Sequence, residues 1–330
     1  MTEPSPFATL RQIAAGYGLS SSLHVIARLG VADKLDETPR TGAELAAAVG
    51  AHAEALSRVL RLLAAHGVFE VCNGKFGHSP ASRMLRSDHP QSMRDYARMF
   101  GLPPFWAAFG ELEHSVRTGQ QVGEKVTPGG LWGYFARHPE ANAIFNATMA
   151  AKAHANIAGI MAVYDFTGFK LIGDIGGGRG HLLRAVLDAA PAAKGVLFDQ
   201  PHVIEDAAAL ASPKLSLQAG DFFKDKLPVC DAYVLMEVIH DWSDAESIAI
   251  LKAVRGAAPP HARLLLIEEM LSADPGPDWA KLLDIHMLVL IGGKQRTREE
   301  YAALFEHAGF SFKREVDTGT GMSILEAVAA

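Results

Sequence analysis

The residues most able to do chemistry lie in the second half of the chain. Asp174 opens the run Asp174-Ile-Gly176-Gly177-Gly178-Arg179-Gly180-His181, and Asp199, Asp221 and His240 follow it. Glycines let a ligand lie close to the backbone. A phosphate-binding fingerprint wants glycine at its first, third and sixth positions; Gly176 and Gly178 comply, but His181 occupies the sixth. An acid in front of the glycines suits a cationic or amine-bearing ligand better than a pyrophosphate. Asp199 stands at the spacing at which a carboxylate accepts hydrogen bonds from a ribose diol. His240 can exchange a proton near neutral pH. Glu268 beside it would orient the imidazole and stabilise its protonated form. Asp241 and Asp244 read as ordinary loop and cap residues.

These side chains need a scaffold that brings them to one edge. The pattern predicts strands over 170–175, 195–198, 215–219, 231–239 and 263–270, with helices over 181–189, 278–290 and 297–308 between or after them. Ser243 with Glu246 predicts a capped helix after the histidine. Two closing strands are expected over 310–318 and 322–328. The run Asp231–Ile239 is almost wholly apolar, as a strand covered on both faces should be. Strands alternating with helices predict an α/β fold with a doubly wound parallel sheet. Asp174, Asp199 and Asp221 would then end three successive strands on the side where such sheets bind ligands.

The N-terminal part has a different period. Helices are expected over 19–29, 43–49 and 53–65, the second behind the capping box Thr41-Gly-Ala-Glu44. A hairpin follows around Asn73-Gly74. Helix, helix and β-wing make a winged-helix arrangement, which raises DNA as a ligand. Residues 1–100 hold 11 Lys+Arg against 9 Asp+Glu, and the expected recognition helix offers only Arg58 and Arg61. Phosphate binding recruits several cations on one face, so a protein–protein role is favoured. Residues 92–160 read as further helices rich in Met and aromatics, broken at Pro103-Pro104 and at Thr127–Gly130. The whole chain has 330 residues and a net charge of −6, which argues against general nucleic-acid binding. Two cysteines, Cys72 and Cys230, suggest free thiols in a reducing compartment. Without a leader-like N-terminus or a membrane-length apolar run, a cytoplasmic location is expected.

Five modules in fixed order, Asp174–Gly180, Phe198-Asp-Gln-Pro-His202, Gly220-Asp-Phe222, Ile239-His-Asp-Trp-Ser-Asp244 and Gly292-Gly-Lys-Gln-Arg-Thr297, resemble those of S-adenosylmethionine-dependent O-methyltransferases of the caffeate and hydroxyneurosporene type. The resemblance spans nearly the whole chain. It implies a Rossmann-like class I methyltransferase sheet of seven strands, the last antiparallel, over residues 161–330. It further implies a winged-helix dimerisation domain over 1–95, a helical linker contributing to the acceptor pocket over 96–160, and a homodimer. S-adenosylmethionine would lie against Asp174, Gly176 and Gly178, with Asp199 on the ribose and Asp221 and Phe222 beside the adenine. Met236 falls where relatives often carry a basic residue, leaving it a backbone or packing role. His240 matches a general base and Glu268 one of two flanking acids. The second falls at Gln295, an amide that can hydrogen-bond the imidazole but cannot offset its charge. Trp106, Phe145, Met149 and His286 would serve a hydroxylated aromatic or polyketide-like acceptor.

No metal is implied, although Asp221, Asp241 and Asp244 could hold magnesium in a different type of methyltransferase. Other readings are a relative that uses the bound sulfonium for decarboxylation or hydroxylation of a polyketide, a winged-helix regulator sensing a metabolite, and a nicotinamide oxidoreductase.

Overall fold

The computed structural model describes residues 5–330. The chain divides into two compact units, Met1–Gly110 with Val126–Ala151, and Glu111–Lys125 with Lys152–Ala330. None of the helices among the described residues is long and apolar enough to cross a membrane.

The first unit follows its local signals. Helix Gly42–Val49 starts at Thr41, whose hydroxyl accepts from Glu44 N while Thr41 N donates to the Glu44 carboxylate at 2.7 Å. Two of the open donors at that helix end are thereby satisfied. Helix Ala53–Ala65 buries Leu56, Leu60 and Leu63 at helical spacing, and Arg58 and Arg61 face solvent. Strands β1 (Phe69–Cys72) and β2 (Lys75–His78) pair antiparallel about Asn73 and Gly74, both at positive φ, the geometry of a two-residue hairpin turn. Ile26, Leu45, Leu60, Leu63, Phe69 and Phe76 form the core under this wing. The helical stretch breaks before Pro103-Pro104 as expected: one helix ends at Met99 and the prolines open the next, Pro103–Gly110, because proline at a first helical turn gives up an N–H that has no partner there. Helix Pro6–Ala14 buries no residue and exposes Phe7, Leu10 and Ile13.

The second unit is a seven-stranded sheet with helices on its faces. Its strands are β3 (Leu171–Ile175), β4 (Lys194–Asp199), β5 (Leu215–Ala219), β6 (Ala232–Met236), β7 (Arg263–Glu269), β8 (Phe310–Asp317) and β9 (Met322–Ala329). The order is β5-β4-β3-β6-β7-β9-β8. The first five run parallel, and β9 is antiparallel to both β7 and β8. Two buried clusters, one on each face, sandwich the sheet; Tyr233 and Leu235 of β6 belong to one and Ala232 and Val234 to the other. Strand order reverses between β3 and β6, so a crevice opens at their carboxyl ends.

The strand expected over 231–239 stops at Met236. Glu237 takes φ 54°, a left-handed conformation that is costly for a residue with a Cβ. Its N–H still bonds Ile267 O at 2.9 Å. The chain therefore leaves the sheet after Met236 and coils into a single 3₁₀ turn, Ile239–Asp241. That turn carries His240.

Candidate active site at the carboxyl edge of the sheet

The glycine turn joins β3 to helix His181–Ala189. Gly176 and Gly178 both sit at positive φ, and Gly176 N donates to Phe198 O at 2.8 Å. A Cβ on Gly177 would come within 2.4 Å of the Asp174 carboxyl, so the turn closes tightly over that acid. Asp174 is buried and its Oδ2 has no protein partner. Burial, reinforced by the Asp199 charge, pushes its carboxyl up to about 7. An ionised acid kept from water and unpaired is unfavourable; a cationic ligand group would remove that penalty. Asp199 accepts from Gly178 N at 2.8 Å and from Gln200 N at 2.7 Å, which fixes its carboxylate and leaves further lone pairs on both oxygens.

Asp221 follows β5. It accepts from Phe223 N at 2.9 Å and pairs with Lys224 at 2.7 Å, and that ammonium contact holds its carboxyl below the usual range. Asp244 is likewise engaged, by Arg296 at 2.8 Å. Asp221 and Asp244, two of the three acids that could hold magnesium in a different type of methyltransferase, thus pair with separate cations. Phe222, Phe223 and Trp242 pack edge to face with ring centroids 4.9–5.7 Å apart, an apolar wall beside Asp221. Met236 ends β6 and packs against the core.

At the next two strand ends the charges go inside. His240 is nearly buried, and Glu268 on β7 and Gln295 are fully so. Gln295 Nε2 lies 2.9 Å from His240 Nδ1. Glu268 Oε2 lies 3.4 Å from the same nitrogen, and Glu268 Oε1 accepts from Ile239 N at 2.9 Å. Asp241 Oδ1 lies 3.3 Å from His240 Nε2. Gln295 Oε1 and Glu268 Oε2 are buried with no hydrogen-bond partner. Half a turn of the Gln295 amide would bring Oε1 opposite Nδ1, so the residue can face either imidazole tautomer.

Desolvation works against a charged imidazole here, but the carboxylates of Glu268, Asp241 and Glu237 outweigh it and raise the His240 pKa. Burial pushes Glu268 up to about 7. Glu237 forms an ion pair with Lys152, whose own pKa that carboxylate raises against the opposing effect of burial. Asp241 and Asp244 thus differ from the sequence expectation. The first touches the imidazole, and the second anchors a buried arginine.

The segment after helix Trp279–Leu290 moulds the histidine turn. A Cβ on Gly293 would sit 2.2 Å from His240 O, Lys294 N donates to that oxygen at 2.8 Å, and Gln295 N donates to Asp284 Oδ1 at 2.8 Å. Sequence reasoning took only Gln295 from this stretch. It also passed over Lys152 and Glu237, although a single charge within the otherwise apolar run Ala232–Ile239 was a visible signal. Nothing in the sequence placed Lys152 beside it.

Trp106, Phe145 and Met149 lie in the first unit. Phe145 packs on Phe135 and Trp132, with ring centroids 4.7 and 5.6 Å away. Met149 is one helical turn further on. Trp106 is 37% exposed. His286 lies in the second unit, where Nδ1 contacts Leu282 O at 2.9 Å and burial lowers its pKa.

Comparison with known proteins agrees with this architecture. Residues 109–311 match an O-methyltransferase domain, and residues 11–88 match an O-methyltransferase dimerisation domain. The chain is 41% identical over 324 residues to a phenazine O-methyltransferase of Lysobacter antibioticus, covering 96% of this chain and 95% of that one. It is 38% identical over 315 residues to an 8-amino-8-demethylriboflavin N,N-dimethyltransferase of Streptomyces davaonensis, covering 92% and 90%. Among solved structures, the calicheamicin-biosynthesis methyltransferase CalO1 with bound S-adenosylhomocysteine superposes with a TM-score of 0.89 at 33% identity, each chain covered in full. Relatives thus methylate oxygen or nitrogen, and the cofactor is common to them. The chain belongs to the S-adenosylmethionine-dependent methyltransferases that pair an O-methyltransferase domain with an O-methyltransferase dimerisation domain.

Proposed function

We propose that this protein methylates a hydroxyl of a small planar aromatic or polyketide-like molecule, with His240 as the general base. The observation that carries the reading is the buried imidazole of His240, set between Glu268 and Gln295 on one nitrogen and near Asp241 on the other. S-adenosylmethionine supplies an electrophilic methyl group when bound. The protein then has to hold the acceptor oxygen in line, exclude water and take its proton. A free phenol has a pKa of about 10, so an adjacent base is needed near neutral pH. With Gln295 Oε1 turned to Nδ1, the Nδ1–H donates to it and Nε2 is left bare to receive the hydroxyl proton. Glu268 and Asp241 then stabilise the imidazolium, which offsets the neutral amide at Gln295.

The cofactor assignments follow the same logic. Asp174 and the turn Gly176–Gly178 take the cationic methionyl end, Asp199 the ribose hydroxyls, and Asp221 with Phe222 the adenine side. Met236 supplies apolar contact. Within residues 96–160 the acceptor-contact candidates are Trp106, Phe145 and Met149, and within residues 161–330 the candidate is His286. Residues 1–95 join two copies into a homodimer; the exposed apolar side chains of helix Pro6–Ala14 support this. The protein works in the cytoplasm. The relatives acting on phenazine and riboflavin skeletons favour a fused, flat acceptor.

One observation favours a second reading, methylation of a nitrogen. With Gln295 Nε2 facing Nδ1, the ring proton sits on Nε2. Such a histidine suits an acceptor atom that has no proton to lose. One experiment separates the two. Fused phenols and their nitrogen counterparts are incubated with methyl-labelled cofactor, and the product is identified by mass spectrometry and NMR. Methyl ethers are expected. Exclusive N–CH₃ products would reject the base-assisted reading, and no product from any hydroxylated aromatic would reject the acceptor class.

A further inference from the structure

Arg296 is the largest fully buried side chain among the described residues. Its only carboxylate partner among the described residues is Asp244, whose side chain is 55% exposed. The remaining donors go to backbone and hydroxyl oxygens. Nη1 donates to Ile239 O and Lys294 O, each at 3.2 Å. Nη2 donates to Trp242 O at 2.8 Å and to Ser247 Oγ at 3.3 Å, and Nε donates to Asp244 at 2.8 Å. Ile239 and Trp242 bracket His240. The His240 carbonyl is held by the N–H of Lys294, two residues before Arg296. Arg296 is itself anchored, since its carbonyl accepts from Leu271 N just beyond β7 at 3.0 Å.

Burying a guanidinium with one half-exposed counter-ion is a poor way to gain stability, since desolvation offsets much of the attraction. The arrangement makes better sense as geometry. The 3₁₀ turn has left the sheet at a left-handed Glu237 and is too short to hold itself by its own ladder. A planar five-donor fork can grip carbonyls on both sides of one residue at once, which a lysine ammonium does less well.

We infer that Arg296 is a positioning residue: its buried guanidinium clamps the carbonyls of Ile239 and Trp242 and so holds the His240 imidazole against Glu268 and Gln295. The inference rests on the proposal that His240 is the base, and it deepens that reading.

The test uses the full-length protein with Arg296→Lys, Ser247→Ala, His240→Ala and the double variant Arg296→Lys/His240→Ala. Turnover, S-adenosylhomocysteine affinity and the NMR titration of the His240 imidazole are measured. Arg296→Lys should lower kcat about 100-fold, the scale of a displaced catalytic group, while cofactor affinity changes less than about threefold. Its imidazole should titrate closer to the ordinary value of about 6.5, because it has moved away from the carboxylates that raise it. In the His240→Ala background the same substitution should cost no more than about threefold, since coupled groups fail together. Parental kcat with parental titration in Arg296→Lys would overturn the proposal, as would an undiminished loss on top of His240→Ala. Should Arg296→Lys not fold, Ser247→Ala removes one contact of the fork. A severalfold lower kcat is then expected, and parental kcat with parental titration overturns the proposal. If His240→Ala alone keeps parental turnover, the base reading has failed, and the imidazole titration still decides whether Arg296 positions the ring.

Discussion

The carboxyl edge of the sheet has two halves built on different principles. At β3, β4 and β5 the acids Asp174, Asp199 and Asp221 are set by backbone: glycine conformation, neighbouring N–H groups and strand ends close in sequence. At β6 and β7 the polar groups are set by side chains from distant segments. Lys152, Glu237, Glu268, Gln295 and Arg296 converge on one short turn. The first half offers carboxylates prepared for a ligand and still open to one. The second withdraws charge from water, where partners rather than solvent decide protonation. Binding can be assembled locally, whereas tuning a proton acceptor requires enclosure.

The largest expected effect lies in the second half. His240→Ala should lower kcat by about 10²–10⁴-fold, the usual share of general-base catalysis, with S-adenosylhomocysteine affinity within a few-fold of the parent by calorimetry. Unchanged turnover would erase the distinction between the halves. Asp199→Ala should show the converse: affinity about 10–100-fold weaker, as expected for charge-assisted hydrogen bonds to a diol, and kcat at saturating cofactor close to parental. Equal affinity in mutant and parent would remove Asp199 from the ribose.

Asp174 sharpens the comparison, because it is the one buried acid of the first half. Its folded pKa, about 7, lies above the unfolded value, so the folded state binds more protons between about pH 4 and 7. Stability from this group is therefore present at low pH and declines as pH rises through that window. Asp174→Asn should raise the melting temperature of the cofactor-free protein at pH 8, by about 1–2 kcal/mol of stability, with little change at pH 4, and should weaken cofactor binding. A variant less stable than the parent at pH 8 would refute this balance. The smallest effect is expected from Gln295→Glu, which adds a carboxylate beside Nδ1. The His240 pKa should rise further, and the acidic limb of the kcat profile should move up by about one pH unit. An unmoved limb would mean that position 295 does not face the base in solution.

The two halves also differ in how far they can be read from the chain. Glycine spacing, capping boxes and strand periodicity are local codes, so the glycine turn and the strand-end places of Asp199 and Asp221 were accessible from sequence, whereas the strand order about β3 came from the structure. Gln295 and Glu268 were expected beside His240 from resemblance, and the structure brings all three together. The strand over 231–239 was read as too long because apolar periodicity does not report a left-handed φ at Glu237. The break at Pro103-Pro104 was legible because a proline pair that ends one helix can start the next at its first turn. Arg296 was passed over because a guanidinium in a Gly-rich turn ordinarily faces water.

The sequence by itself therefore determined the α/β class, the strand-end places of Asp174, Asp199 and Asp221 and the position of His240 after the fourth strand of the sheet, since each rests on residue types at short, fixed spacings. The tertiary structure alone decided the environment of that histidine: which acids face each ring nitrogen, that Lys152 pairs with Glu237, and that Arg296 grips the turn from within. Those relations join residues up to 85 positions apart. Their energies depend on distance and exclusion of water, and neither quantity is written in a linear chain.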